Sequence, residues 1–102
     1  ISSLRTLFLA GERADPDTVQ WAETHVGVPV IDHWWQTETG WAIAGNPVGL
    51  GLLPVKHGSP TVPMPGYDVQ ILQVDGSPCA PGEEGAICIS LPLPPAPRSA
   101  LF

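Results

Sequence analysis

Basic residues are what this chain has least of: 4 Lys+Arg stand against 10 Asp+Glu in 102 residues, a formal charge of −6. A nucleic-acid backbone or an anionic membrane surface is held by a basic patch, so both partner classes are set aside. An anionic ligand would have to be met by backbone N–H groups, hydroxyls, or a metal bridging to a carboxylate. Cysteine is scarce too. Cys79 and Cys88 lie nine positions apart, a spacing that is neither a metal-ligand pattern nor a disulfide framework, and a reducing intracellular compartment is expected. The sequence has no run of ~20 apolar residues, no initial Met and no charged segment leading into an apolar one, so neither a membrane span nor a secretory leader is read from it. It runs from Ile1 to Leu101-Phe102, and the expectation is a piece of a longer protein.

What the chain has in quantity is punctuation. Its 11 Gly and 13 Pro, the Pro mostly in the second half, predict many turns and few long helices. Hydrophobic residues make up 43% and charged residues 14%, which argues against disorder; the length supports one small core.

In chain order, Leu4 to Ala10 is a nearly continuous apolar run, as in a strand covered on both faces. Gly11-Glu12-Arg13 ends it. Asp15 is placed as an N-cap with Pro16 at the first helical position, and Val19, Ala22 and Val26 recur along one helical face until Gly27 stops it. Val28 to Trp34 begins with the β-branched content of a buried strand. Strand, helix and strand make a βαβ unit with parallel strands. Both strands then release their carboxyl ends, Gly11-Glu12-Arg13 and Trp34 to Glu38, on one edge of the sheet, where ligands of open α/β sheets bind.

Trp41 to Lys56 shows neither period and is read as a connection. From Tyr67 to Val74 the apolar face switches between Ile71 and Leu72, which predicts a bulge or twist. Asp75-Gly76 is a hairpin turn signal, and Pro81 to Gly85 forms a second turn before the alternating Ile87, Ile89 and Leu91. Leu93 to Pro97 reads as extended. The expected class is α/β: a βαβ edge of a parallel sheet followed by antiparallel β-barrel strands, as a partial domain. Residues 1–40 hold the βαβ part, 41–57 a connecting segment and 58–102 the barrel portion.

Asp32-His33-Trp34-Trp35-Gln36-Thr37-Glu38-Thr39-Gly40 concentrates aromatics, an amide, hydroxyls and carboxylates behind the second strand, and is the candidate site. With Gly11-Glu12 it closely resembles the short-chain acyl-CoA synthetases of the adenylate-forming superfamily. Gly58-Ser59-Pro60, Pro65-Gly66-Tyr67, Gly82-Glu83-Glu84-Gly85 and Leu91-Pro92-Leu93-Pro94-Pro95 fall in that family's order and approximate spacing. The DHWWQTETG wording and the PLPP ending are most similar to propionyl-CoA synthetases.

The resemblance implies a parent enzyme, an AMP-forming acid–thiol ligase, that joins ATP and a short carboxylate into an acyl-adenylate and passes the acyl group to coenzyme A. It implies that the backbone of Gly11, Glu12 and Arg13 lies along adenine, that Asp32 accepts from the adenine amino group, and that Trp34 stacks on the base. His33 is then a packing or hydrogen-bonding residue of the nucleotide site, not a general base. Gln36 orients the phosphate and ribose region, Thr37 contacts the α-phosphate, and Glu38 ligates Mg2+. Trp35 stands where relatives with large substrates have Gly and closes the acyl pocket; Ala10, where acetate enzymes carry Val, is a second wall and leaves room for propionate. Arg13 replaces the family's usual Pro, and His33 the Thr of acetate enzymes.

The family's phosphate loop, ribose-binding Asp, hinge and catalytic Lys are not found in these residues, so the remainder of the enzyme chain is an expected partner and the isolated chain is expected to be inactive. Mitochondrial matrix or cytoplasm is the implied compartment. A plainer alternative is a non-catalytic, β-rich piece that binds a nucleotide or docks a partner. An amino-acid-activating adenylation domain is disfavoured, because Trp35 would block its side-chain pocket. By the plainer reading of single residues, His25 and His57 are surface residues with no partners at metal-ligand spacing, Glu83-Glu84 is a solvated turn, and Cys79 and Cys88 carry no chemistry.

Overall fold

The computed structural model describes residues 2–95 and divides into two compact units, one ending at Met64 and one beginning at Pro65. In the first, β1 (Leu7–Leu9), α1 (Pro16–Val26) and β2 (Val30–Asp32) form the expected βαβ unit. β1 and β2 are parallel in the register Leu7↔Val30, Phe8↔Ile31 and Leu9↔Asp32. Helix α1 begins as its sequence requires: Asp15 caps it by accepting the Thr18 N–H at 3.0 Å, with Pro16 next. Gly27 ends it at φ 71°, a left-handed conformation that favours glycine, and donates its N–H to the Glu23 carbonyl.

Val19, Ala22 and Val30 form the core between helix and strands, with Leu7, Leu9 and Ala14 packed against it. The run Leu4 to Ala10 is shorter as a strand than its apolar length predicts, and it is not covered on both faces. Leu7 and Leu9 point to the helix, so the alternate residue Phe8 lies on the other face and is half exposed.

Trp41 to Lys56 is more than a connection. It contains β3 (Ala44–Gly45), which pairs antiparallel with β4 (Val62–Pro63), and a 3₁₀ turn at Val48–Leu50. Ala42, Ile43 and Asn46 in it are buried. Asn46 donates to the Leu53 carbonyl at 2.8 Å and accepts the Leu53 N–H at 3.0 Å, so a single buried amide closes the loop between them. Two-residue strands leave no periodicity to read, which is why this part of the core was invisible in the pattern.

Glu23 joins α1 to its surroundings, accepting the Val30 N–H at 3.4 Å through Oε1 and meeting His57 Nε2 at 2.7 Å through Oε2. His57 is thus half-buried and partnered by a carboxylate 34 positions away in the chain, a contact that no local spacing could show. His25 is exposed, with its ring stacked on Trp21 at 4.2 Å and Nδ1 2.7 Å from the Trp21 carbonyl.

In the second unit, β5 (Val69–Leu72) pairs antiparallel with β6 (Ala86–Ile89). The register runs one to one from Val69↔Ile89 to Leu72↔Ala86, so the bulge expected at Ile71-Leu72 is absent. Leu72 also bridges Pro78, which accounts for its apolar character on the second face. The Asp75-Gly76 turn is present: the Gln73 N–H donates to the Ser77 carbonyl, and Asp75 Oδ1 accepts the Ser77 N–H at 2.9 Å and hydroxyl at 2.6 Å. Among the described residues the antiparallel strands make two-stranded sheets and no closed barrel, because closure takes more strands than these. The end of the Leu93 to Pro97 run lies outside the described residues.

The Thr18 N–H, then its hydroxyl, holds the Asp15 carboxyl below its ordinary value of 3.8. A depressed folded pKa contributes stability above the unfolded value and loses it as pH falls through the folded one. Amide exchange at Thr18 should therefore accelerate as pH drops below 3.8, and Asp15→Asn should remove that pH dependence; an unchanged profile in the variant would exclude the carboxylate as the cause.

Candidate functional site

The parallel register decides what lies next to what. Leu9 is level with Asp32, and the His33 N–H still donates to the Leu9 carbonyl at 3.2 Å. Ala10 to Arg13 and His33 to Gly40 thus leave the sheet from the same edge. Beyond β2 the backbone is tied down once more: the Trp34 N–H donates to the Ala44 carbonyl at 2.8 Å, and the Trp34 carbonyl accepts from Ile43 at 2.8 Å and Ala44 at 3.2 Å. Both peptide groups of Trp34 are thereby occupied, which sets where the following residues start.

Extended backbone sends successive side chains to opposite sides. Val30 is on the helix side, in the core, and Asp32 and Trp34 follow it at intervals of two. His33 and Trp35 take the other side with Phe8. The His33 ring lies 5.6 Å from Phe8, edge to face, and 4.7 Å from Trp35 at 57°. Asp32, His33 and Trp34 are half-buried; Trp35 keeps 42% of its surface exposed.

Thr37–Thr39 is a 3₁₀ turn. Thr39 organises it: its hydroxyl lies 2.8 Å from the Gln36 carbonyl and 3.0 Å from the Trp41 carbonyl, and accepts the Gln36 N–H at 3.3 Å. Backbone bonds from Thr39 to Gln36 and from Gly40 to Thr37 close the turn. Gln36, Thr37 and Glu38 are left exposed on it. A cavity of about 460 Å³ opens beside the turn, lined by His33, Trp35, Gln36, Thr37, Gly40, Trp41 and Ala42.

Four nominated residues, His33, Trp35, Gln36 and Thr37, therefore share one cavity. Asp32, Trp34 and Glu38 are adjacent in sequence but outside its lining, as are Ala10, Gly11, Glu12 and Arg13, which are exposed beyond β1. Trp41 and Ala42 line it without having been singled out, and Thr39 holds the turn. The signal for Thr39 was its place before Gly40, where a short turn ends and a hydroxyl reaches back to the backbone.

Glu38 has no hydrogen-bond or ion-pair partner among the described residues, and these contain no group of three or more His, Cys, Asp or Glu able to hold a metal. A single available carboxylate fits a Mg2+ ion that takes its other ligands from phosphate and water, as Mg2+ usually does. No helix among the described residues is long and apolar enough to cross a membrane.

Comparison with known proteins places these observations. The model of the family described as AMP-binding enzyme matches residues 1–93. Propionate–CoA ligase of Escherichia coli (strain K12) is 49% identical over 96 residues, which are 93% of this chain and 15% of that protein. Acyl-CoA synthetase short-chain family member 3, mitochondrial, of Homo sapiens is 42% identical over 103 residues, covering 100% of this chain and 15% of its own length. The crystal structure of Brucella canis acyl-CoA synthetase superposes with a TM-score of 0.72 at 38% identity, over 84% of this chain and 16% of that one. The chain thus spans about one-sixth of the length of these relatives.

Replacing Thr39 by Val keeps the shape and removes the hydroxyl, at a cost of about 1 kcal/mol per hydrogen bond lost. Faster amide exchange is expected at Gln36, Thr39 and Gly40 with helix α1 unchanged; equal protection in the variant would show that the backbone bonds alone hold the turn.

Proposed function

The chain belongs to the AMP-binding enzyme family, and we propose that it is the segment of an AMP-forming short-chain acyl-CoA synthetase that carries one wall of the nucleotide and acyl sites. The observation that carries this reading is the cavity at the carboxyl edge of the parallel pair, where Trp35 and Thr37 line the same space. An apolar wall beside a hydroxyl suits a molecule with a short apolar tail and a phosphate-bearing head. Likeness to propionate–CoA ligase at 49% identity supports propionate as the acid.

In this reading a carboxylate oxygen of the acid attacks the α-phosphorus of ATP, the bond to the β-phosphate oxygen breaks, and pyrophosphate leaves. Thr37, on the exposed 3₁₀ turn, donates to the α-phosphate, where charge builds in the transition state. Glu38 beside it would hold a Mg2+ ion, which would offset phosphate charge. Gln36 orients the phosphate and ribose region. Asp32 and Trp34, on the side of the strand opposite Trp35, receive adenine together with the Gly11-Glu12-Arg13 loop; base stacking on an aromatic is worth about 1–3 kcal/mol. The coenzyme A thiol, giving up its proton to solvent, then attacks the acyl carbonyl carbon, and the bond from that carbon to the phosphate oxygen breaks to release AMP.

Trp35 and Ala10 set acyl length. Ala10 follows the end of β1 and is exposed at the same sheet edge, outside the lining of the cavity that Trp35 faces; the family resemblance is what supports it as the second wall. A small Ala there leaves space for about one methylene, which an apolar pocket discriminates by about 1–3 kcal/mol. Preference for propionate over acetate follows, without exclusivity. Turnover belongs to the longer chain of which these residues are a part, since the phosphate loop and catalytic Lys implied by the family are supplied from elsewhere. The compartment follows the parent enzyme: mitochondrial matrix or cytoplasm.

Full-length protein should catalyse propionate-dependent exchange between ATP and pyrophosphate; exchange confined to long-chain or aromatic acids would sink the reading. Trp35→Gly should extend the accepted chain length, with about tenfold or more gain for a longer acid relative to propionate. An unaltered chain-length profile would remove Trp35 from the pocket.

A further inference from the structure

His33 is half-buried, and its surroundings are those of a packing residue. An imidazole reads a ligand through its ring nitrogens, and of these Nδ1 is buried with no protein group beside it to bond. The ring instead makes aromatic contacts on two sides, with Phe8 at 5.6 Å and 70° and with Trp35 at 4.7 Å and 57°. Behind it stands Gly45 of β3, where a Cβ would lie 3.3 Å from His33 Cβ and 3.3 Å from Met64 Sδ. Phe8 is fixed by the parallel pairing and Gly45 by the antiparallel one. The imidazole thus lies between Phe8 and the Trp35 indole, with its Cβ backed by Gly45.

Trp35 meets the His33 ring at the mouth of the cavity. It is 42% exposed and lines a cavity of about 460 Å³, so one side of the indole faces open space. A wall that discriminates by one methylene has to be held to within about 0.5 Å. We propose that His33 is a positioning residue for Trp35, carrying the rigidity of the strand pairs to the indole and so setting the acyl-length limit, rather than a contact for the nucleotide. This rests on the assignment of Trp35 to the acyl pocket made above. It predicts that the ring's shape matters and its nitrogens do not.

The test uses full-length enzyme and steady-state kinetics with propionate and pentanoate, together with KM for ATP. His33→Ala should lower the propionate-to-pentanoate ratio of kcat/KM by about tenfold and leave KM for ATP unchanged. His33→Phe, which keeps the aromatic contacts and removes the unpaired nitrogen, should preserve the ratio. Should His33→Ala fail to fold, Phe8→Ala serves in its place: Phe8 is 52% exposed, and its loss should shift the ratio in the same direction. An unchanged ratio with a raised KM for ATP would return His33 to the nucleotide site and overturn the proposal. So would an equal loss of activity on both acids, which marks a merely structural role, or a ratio that collapses equally in His33→Phe. Wild-type enzyme without activity on short acids would defeat the functional reading first, whereas a widened profile in Trp35→Gly beside an unaffected His33→Ala would defeat this inference alone.

Discussion

Parallel pairing of β1 with β2 is the constraint on which the rest of the site depends. With Leu9 level with Asp32, two chain segments separated by a whole helix emerge side by side. The pairing is held by a small apolar contact, Val19 and Ala22 of the helix against Val30 of the strand. Asp15 and Gly27 keep the helix to the length that spans the pair. A shift of one residue in this register would exchange the two faces of β2, placing His33 and Trp35 against the helix and Val30 in solvent.

Alternation along that strand separates two chemistries with no further device. Val30, Asp32 and Trp34 follow one side, while Phe8, His33 and Trp35 gather on the other. Consecutive residues of one strand thereby supply two walls of different character. The bonds from Trp34 to Ile43 and Ala44 extend this order past the end of β2, to where the 3₁₀ turn begins.

The turn decides which polar groups this acidic chain presents at the edge of the sheet. Thr39 satisfies the turn's own backbone, leaving Gln36, Thr37 and Glu38 exposed. In a chain with a formal charge of −6, the groups offered there are an amide, a hydroxyl and a carboxylate, not Lys or Arg.

Much of this was legible in the residues. Asp15, Pro16 and Gly27 mark the helix through backbone chemistry that is local, and the apolar runs mark the parallel strands because burial leaves a pattern at each position. The wording from Asp32 to Gly40 carried the family resemblance. Other features depended on contacts between distant positions: the Asn46–Leu53 clasp, the Glu23–His57 pair, the unbroken register at Ile71-Leu72, and the burial of Ile43. None has a local signature, since a two-residue strand has no period and a His is polar or packed according to what folds over it. The sequence by itself determined the caps and the strand pair; tertiary structure alone decided that His33 turns to Phe8 and Trp35, because which side of a strand a residue serves is settled by the register of its partner.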